Sequence, residues 1–208
     1  AGDPRKIADL TYEELSRIPL FPAPAKPGDA EAAPVADPVA AAQFAPQGYY
    51  QHVPLFVDVL RVIAGRVPVI VEYKFTDNAA WGERADELME KGDQLLQAYD
   101  GPYVIESFHP GAVNWYKEHR PEVCRGQLAE PASLTGTGVK EWLAGLLAFD
   151  WISRPDFVAF DWHGGPSPQL LAARWMGAIP ASWTVRSAAV LPECIQYFDR
   201  HSFESFVP

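Results

Sequence analysis

The stretch VPVIVEYKF, residues 67–75, is the part of the sequence that decides the fold. Its apolar run is almost unbroken and rich in valine, a pattern typical of a strand that is buried in a parallel sheet. Two charged residues, Glu72 and Lys74, interrupt this run near its end. Because alternate residues of a strand point to the same side, we expect both side chains on one face where the strand ends.

Strand-like and helix-like segments alternate along the rest of the chain, which predicts βαβ units and a parallel sheet. Besides 67–75, strands are predicted over 103–108, 123–128, 156–162 and 178–185. Helices are predicted over 9–20, 53–65, 78–99, 110–121, 139–149, 166–177 and 188–201. In parallel α/β folds the working groups lie at the carboxyl ends of the strands, so we expect a functional site at that pole of the sheet.

The N-terminal part differs in character from the regular pattern that follows it. In DLTYEELSRIPL, residues 9–20, Thr11 and Glu14 have the spacing of a helix capping box. Residues 21–48 are mostly alanine and proline with scattered acids, and proline disrupts both helices and sheet ladders. We expect an irregular surface insertion or loop there, with a lid over a pocket as the alternative. The predicted organisation is a helix in 1–20, a Pro/Ala-rich insertion in 21–50 and a barrel part in 51–208.

Composition excludes several classes of function. The 208-residue chain has a net charge of -10, which argues against sequence-independent binding of nucleic acid, since that binding needs an excess of Lys and Arg. No run approaches the roughly 18 apolar residues of a membrane helix, and a signal-peptide layout is absent at the N-terminus. The sequence contains no nucleophile elbow, P-loop, dinucleotide fingerprint or zinc signature. Cys124 and Cys194 are expected to be reduced or buried thiols, with one disulfide as the alternative, which favours a cytoplasmic protein.

Glu72 and Lys74 are the strongest candidates for residues of a functional site. Charged groups on the inner face of a buried strand cost free energy unless each has a partner. A metal-binding glutamate beside a lysine that contacts an anionic substrate would satisfy this requirement. A structural ion pair at the point where the strand emerges would satisfy it equally well, so the local sequence leaves both interpretations open.

Other polar and aromatic residues lie near predicted strand ends. Asp161 and His163 could bind a metal together, the aspartate could orient the histidine, or the two could form a polar strand end. His109 follows the second predicted strand and could reach the same pole or be a solvated loop residue. Trp183 could line a ligand pocket or fill the interior of a barrel. A different α/β hydrolase that used Asp161, His163 and Glu72 would need the three side chains within a few ångströms of one another.

The order of several segments carries further information. DLTYEEL, VPLFVDVL and VPVIVEYKF follow one another, and then come an SF-x-P pattern at Ser107, Phe108 and Pro110 and an RP dipeptide at Arg120. The segments ASWTVRS and HSFESFVP close the chain. This ordered set resembles the C-terminal part of the glycerophosphodiester phosphodiesterases, whose helices, "IEIK"-like strand, "WTV" strand and closing segment occur in the same order.

The resemblance implies a TIM-type (β/α)8 barrel that hydrolyses a glycerophosphodiester, such as glycerophosphocholine, to an alcohol and glycerol 3-phosphate. It also implies a divalent cation, Ca²⁺ or Mg²⁺, that polarises the phosphoryl group, and two histidines that act as general acid and base. The residues that match the family pattern, or lie near it, are Glu72 for the metal; Lys74, Phe108 and Trp183 for the substrate; and Gln127, Asp161 and His163 as additional candidates.

The sequence departs from the family at its beginning. The family's "HRG", "E-x-D" and "HD" strands, which carry the two histidines and the first two metal carboxylates, have no counterpart here. Only about five of eight strands are predicted, and five strands cannot close such a barrel, so two edges and an apolar inner face would be exposed. The general acid and base are therefore expected upstream of this chain. Three hypotheses remain: a longer protein, a second chain or copy that completes the barrel, or a non-catalytic partial-barrel relative or interaction module.

Overall fold

The computed structural model describes residues 4–18, 52–75, 81–130 and 150–206. The chain divides into two compact units, Ala1–Ile63 and Ala64–Pro208, and the sheet belongs to the second. The Pro/Ala-rich segment 21–48 and the predicted helix over 139–149 lie outside the described residues. No helix in the described part of the chain is long and apolar enough to cross a membrane.

The described residues of the first unit form a 3-10 turn and two helices, α1 (Tyr12–Leu15) and α2 (Phe56–Ile63). The predicted capping box is confirmed, because the Thr11 hydroxyl accepts a hydrogen bond from the Glu14 amide at 3.3 Å. In return, the Glu14 carboxylate accepts one from the Thr11 amide at 2.9 Å. The helix begins after the predicted Thr11 cap, at Tyr12, but it ends at Leu15 and is therefore shorter than the predicted range 9–20.

The second unit is built on six parallel strands whose spatial order follows the chain, from the first to the last. The strands are β1 (Val69–Glu72), β2 (Tyr103–Ser107), β3 (Arg125–Ala129), β4 (Phe157–Asp161), β5 (Ile179–Val185) and β6 (Arg200–Phe203). The helices are α3 (Glu83–Gln97), α4 (Pro110–His119), α5 (Asp150–Ser153), α6 (Pro168–Trp175) and α7 (Leu191–Cys194). The sheet curls like part of a TIM-type barrel, which confirms the predicted fold class.

Of the last predicted helix, over 188–201, only Leu191–Cys194 is helical, so the rest of that prediction is wrong. Helix α7 ends at Cys194, and the chain then forms β6 along the edge of β5. The Asp199 amide donates to the Pro180 carbonyl at 2.9 Å, which begins this pairing. Because the backbone of β5 offers unpaired groups on that side, the segment pairs as a strand, and the sheet has six strands where about five were predicted.

Side chains alternate between an outer layer that packs against helices and an inner face. The outer layer contains a cluster of buried residues, namely Ala129, Val158, Phe160, Leu170, Ala173, Ala178, Val185, Cys194 and Phe198. The expected free thiols are present, since Cys194 is buried in this cluster and Cys124 is exposed. Packing of this layer fixes the strands so that the opposite side chains project from a rigid surface.

The inner face is exposed to solvent on β1 and at the start of β5, whereas Leu128 and Ala159 on the same face of β3 and β4 are only 6% and 3% exposed. One row of residues in register crosses five strands, and it consists of Glu72, Glu106, Gly126, Phe157 and Ile179. Ile179 is 46% exposed, and Ile70, two residues before Glu72 on the same face of β1, is 58% exposed. This exposure agrees with the apolar inner face that we expected for a partial barrel.

A buried ion pair holds together the two helices that follow β1 and β2. Arg120 Nη1 donates to both carboxylate oxygens of Asp93, at 2.7 and 2.8 Å. Asp93 is only 4% exposed, and its carboxylate also accepts from the Gln97 amide at 2.7 Å. These bonds compensate the loss of solvation of the carboxylate and join α3 to the end of α4.

Candidate functional site

The carboxyl ends of the strands bring most of the predicted site residues to one pole of the sheet. Glu72 ends β1 and Asp161 ends β4. Phe108 directly follows β2, and Trp183 lies two residues before the end of β5. Because the strands are parallel, these ends share one edge, which is the edge where α/β barrels place their functional groups.

Glu72 and Lys74 form an ion pair that is exposed to solvent. Lys74 Nζ lies 3.3 Å from Glu72 Oε2, and the two side chains are 78% and 29% exposed, respectively. Exposed pairs of this kind contribute about 0–1 kcal/mol to stability, so the contact is weak and easily exchanged. The structural ion pair and the functional arrangement are therefore compatible: the pair forms, and it leaves both groups accessible from the inner face.

Glu106 is the candidate residue that the sequence interpretation missed. It is paired in register with Glu72 across β1 and β2, so both side chains point to the inner face. Burial, and then the negative charge of Glu72, raise the pKa of Glu106 to about 7. The only available signal in the sequence is an acid within the otherwise apolar strand YVIESF.

The surroundings of Glu106 differ on its two sides. Towards β1 it faces Glu72, whereas towards β3 the row continues with Gly126 and Phe157. The Phe157 ring lies over Gly126, where an added Cβ would come within 2.1 Å of a ring atom. Glu106 thus lies between a carboxylate and an apolar part of the inner face, and both neighbours disfavour its ionised form.

Phe108 and Trp183 form an aromatic wall at the same pole. Their rings meet edge to face with centroids 5.6 Å apart. The Trp183 indole Nε1 donates to the Ala159 carbonyl at 2.8 Å, which fixes the position of the larger ring. Phe108 remains 46% exposed, so the wall presents an apolar surface to solvent beside the charged residues.

Asp161 and His163 are brought together but lie apart from Glu72. Asp161 Oδ1 accepts from the His163 amide at 2.9 Å and from the ring Nδ1 at 2.6 Å, so the aspartate orients the ring. The ring stacks on Trp162 with centroids 3.7 Å apart, and the His163 side chain is 60% exposed. Asp161 is three strands from Glu72, roughly 14 Å along the sheet at about 4.8 Å per strand, so the structure gives no support to a hydrolase site made of these three residues.

Gln127 braces the strand ends beside the aromatic wall. Its side-chain amide donates to the carbonyls of Ser107, Phe108 and Leu128 at 3.1, 3.0 and 3.0 Å. The residue is 5% exposed and alternates with Gly126, which places it away from the row that contains Glu106. In this position Gln127 supports the segment that carries Phe108.

His109 acts as the cap of α4. Its ring Nδ1 accepts from the Gly111 amide at 3.0 Å. The ring packs in an aromatic cluster, with centroid distances of 5.4 Å to Phe75 and 5.3 Å to Trp81. His109 therefore lies at the expected pole, where it starts a helix and fixes the segment after β2.

A separate cavity opens at the opposite pole of the sheet. Arg125, Arg154, Asp156 and Ile179 contribute to its lining. These residues begin or precede β3, β4 and β5, so the cavity lies at the amino ends of the strands. It contains none of the predicted site residues and is distinct from the site described above.

The chain is thus part of a TIM-type α/β barrel whose carboxyl pole carries acidic residues, a lysine and an aromatic wall. A scan against protein-family models finds no match for the sequence, and neither does a search of curated proteins. Similar solved structures do exist, and they include several glycerophosphodiester phosphodiesterases.

A protein from Galdieria sulphuraria, assigned as a glycerophosphodiester phosphodiesterase, matches with a TM-score of 0.61 and 15% identity, over 96% of this chain and 68% of that one. A glycerophosphoryl diester phosphodiesterase, so assigned, from Silicibacter pomeroyi matches with a TM-score of 0.56 and 18% identity, over 73% and 53%. An Oleispira antarctica phosphodiesterase, solved with its product sn-glycerol-3-phosphate, matches with a TM-score of 0.55 and 17% identity, over 74% and 59%.

These matches confirm the resemblance inferred from the sequence at the level of the fold. The chain has the fold of the glycerophosphodiester phosphodiesterases over 73% to 96% of its length. It spans 53% to 68% of the length of the same two structures.

Proposed function

We propose that this chain takes part in the metal-dependent hydrolysis of glycerophosphodiesters to an alcohol and glycerol 3-phosphate. The observation that carries the proposal is the accessible pair Glu72 and Lys74 at the carboxyl pole, where the pattern of the resembling family expects them. The fold shared with phosphodiesterases supports the same reaction class. The product bound to the Oleispira protein suggests the chemical class of ligand to test.

The donor chemistry of the site fits a hard divalent cation. Glu72 offers a carboxylate on the inner face, and carboxylate oxygen is a ligand that both Mg²⁺ and Ca²⁺ prefer. Soft ligands are not part of the arrangement, since Cys124 and Cys194 lie on other parts of the described chain. When bound, the cation would polarise the phosphoryl group.

The remaining residues would bind and orient the substrate. Lys74 would contact an anionic oxygen of the phosphodiester through its mobile ammonium group. Phe108 and Trp183 would pack against the glycerol or the head group. Two histidines that act as general acid and base would come from further strands, in the same chain or in a second chain or copy that completes the barrel. Light scattering combined with size-exclusion chromatography would show whether a second copy is present.

The test is a measurement of glycerol 3-phosphate release from glycerophosphocholine by the complete barrel, with the strands that supply the two histidines present, with Mg²⁺ or Ca²⁺ and with EDTA. We expect release that needs the cation, that is abolished in Glu72→Gln and that is lowered in Lys74→Ala. Glu118→Gln is the matched control, because Glu118 is an exposed glutamate on the outer helix α4. The proposal fails if the unaltered protein releases no product with either cation and with any of several head groups.

A non-catalytic partial-barrel relative or interaction module is the second candidate. Its support is that the two catalytic histidines of the family pattern have no counterpart in this sequence. A thermal-shift titration with Ca²⁺ and Mg²⁺ separates the two candidates, because a ligand that binds the folded state raises the Tm by mass action. A dose-dependent rise that disappears in Glu72→Ala supports the enzyme, whereas a flat curve supports the module.

We also propose a reducing, cytoplasmic setting for the protein. Its support is that Cys124 and Cys194 are both free, one exposed and one buried. Fractionation of cells that express the untagged protein, followed by thiol labelling, would test the compartment and the redox state together.

A further inference from the structure

Glu106 lies beside Glu72, the carboxylate that we assign to the cation. It is in register with Glu72 on the adjacent parallel strand, and both side chains point to the inner face. Neighbouring strands are about 4.8 Å apart, so two glutamate side chains that start from these positions can reach one ion. Both residues lie on rigid strands, which hold their backbones in place without a ligand.

The two carboxylates differ in the groups that compensate their negative charge. Glu72 has the ammonium group of Lys74 at 3.3 Å. Glu106 is partly buried on β2, and no hydrogen bond or ion pair to its carboxylate is found within the described ranges. A part-buried carboxylate that faces another carboxylate is unfavourable unless a cation or a proton compensates it.

We propose that Glu106 is a second carboxylate ligand of the divalent cation that Glu72 binds. This inference rests on the proposed function and adds a ligand from β2 that the resemblance to the family does not assign. Two carboxylates, with waters and the phosphate oxygens of a substrate, are the donor set with which proteins usually hold Mg²⁺. Because two carboxylates leave ligand positions of the cation free, the site would favour a substrate whose phosphate oxygens fill those positions.

Binding of a cation between the two glutamates would also act on Lys74. The ammonium group now neighbours Glu72, and a divalent cation at that carboxylate would repel it. Because Lys74 is 78% exposed, its side chain is free to swing towards the phosphodiester. Occupation of the metal site and release of the substrate-binding lysine would therefore be coupled.

Terbium luminescence tests this ligand role directly. Tb³⁺ replaces Ca²⁺ or Mg²⁺ at oxygen sites, is excited through nearby tryptophans, and reports the number of bound waters through its lifetimes in H₂O and D₂O. The full chain is compared with Glu106→Gln, Glu72→Gln and the control Glu118→Gln, with circular dichroism to confirm folding. Competition with Mg²⁺ and with Ca²⁺ then gives the affinity for each biological cation.

Loss of a residue that only supports a metal ligand typically lowers metal affinity by about 10–100-fold. Glu106→Gln removes a direct ligand, so we expect its Tb³⁺ affinity to fall by at least this factor. One or two additional waters should be bound to the ion in its place. Glu118→Gln should match the unaltered protein in both respects. A weaker affinity with an unchanged water count would overturn the inference, because Glu106 would then contribute only its charge. An unchanged affinity would overturn it as well.

The same measurements distinguish the failure of this inference from that of the proposed function. If Glu72→Gln loses the ion and Glu106→Gln retains it, the metal site stands without Glu106. If the unaltered protein binds no ion, the inference and the metal dependence of the proposed function both fall. Should the protein release glycerol 3-phosphate in EDTA, the hydrolytic activity stands and the metal site fails by itself.

Discussion

Glu106 lies directly opposite Glu72 in the parallel register of β1 and β2, and the two acids share the inner face. Burial and the charge of Glu72 raise the pKa of Glu106 to about 7, from an ordinary value of 4.5. The folded state therefore holds a proton on Glu106 over a pH range in which the unfolded chain has already lost it. In that range the contribution of Glu106 to the free energy of unfolding falls as the pH rises.

This linkage predicts the pH dependence of stability in the absence of metal. Between about pH 4.5 and 7 the contribution of Glu106 to stability should decrease with pH, and it should stay low above pH 7. Glu106→Gln should flatten this part of the profile and raise the Tm at pH 8 by a few degrees, whereas Glu118→Gln should not. Thermal unfolding in EDTA at pH 5, 6, 7 and 8 provides the measurement, and parallel profiles for the Glu106 variant and the unaltered protein would contradict the prediction.

Features that depend on residues close together in the sequence were predicted, whereas features that depend on contacts between distant segments were not. The Thr11 capping box was predicted because both of its partners lie within three residues. Glu72 was predicted because a charge that interrupts an apolar strand is visible locally. Glu106 acquires its significance only from the register of β2 against β1, which a single segment does not reveal. The strand β6, with the sequence RHSF, has no apolar pattern of its own and forms because β5 offers an edge.

The buried ion pair between Arg120 and Asp93 gives a prediction about stability. Arg120→Ala would leave a carboxylate that is 4% exposed without its cation, and breaking one partner of such a pair typically costs about 3–5 kcal/mol. Urea denaturation should show this loss. Arg120→Ala combined with Asp93→Asn should recover part of it, because the uncompensated charge is then removed. If Arg120→Ala lowers the free energy of unfolding by less than about 1 kcal/mol, water compensates the charge of Asp93 in its place.

Gly126 gives a prediction about packing on the inner face. In Gly126→Ala the new Cβ would lie 2.1 Å from the Phe157 ring, so the ring must move, and overpacking of this kind costs about 1–3 kcal/mol. Gly82→Ser is the matched control, since a Cβ there meets nothing within 4 Å and serine is a favoured residue at this position, the N-cap of α3, so stability should not fall. The cost of Gly126→Ala should shrink in a Phe157→Leu background, and an equal cost in both backgrounds would refute the contact.

Phe108 gives a prediction that separates substrate binding from stability. Because its ring is 46% exposed and its described ring contact is the edge-to-face one with Trp183, Phe108→Ala should cost only about 0.5–1.5 kcal/mol of stability. If the ring packs against bound substrate, the same change should raise KM for glycerophosphocholine several-fold and leave kcat nearly unchanged, since such a contact is equal in the ground and transition states.

Leu171→Ala is the control for this comparison, because Leu171 is a 67% exposed apolar residue on the outer helix α6. It should alter neither KM nor kcat. A fall in kcat at constant KM in Phe108→Ala would instead place the ring against the reacting phosphoryl group, because the contact would then strengthen only in the transition state. Equal kinetics in Phe108→Ala and the unaltered protein would remove Phe108 from the substrate site and leave the aromatic wall with a purely structural role.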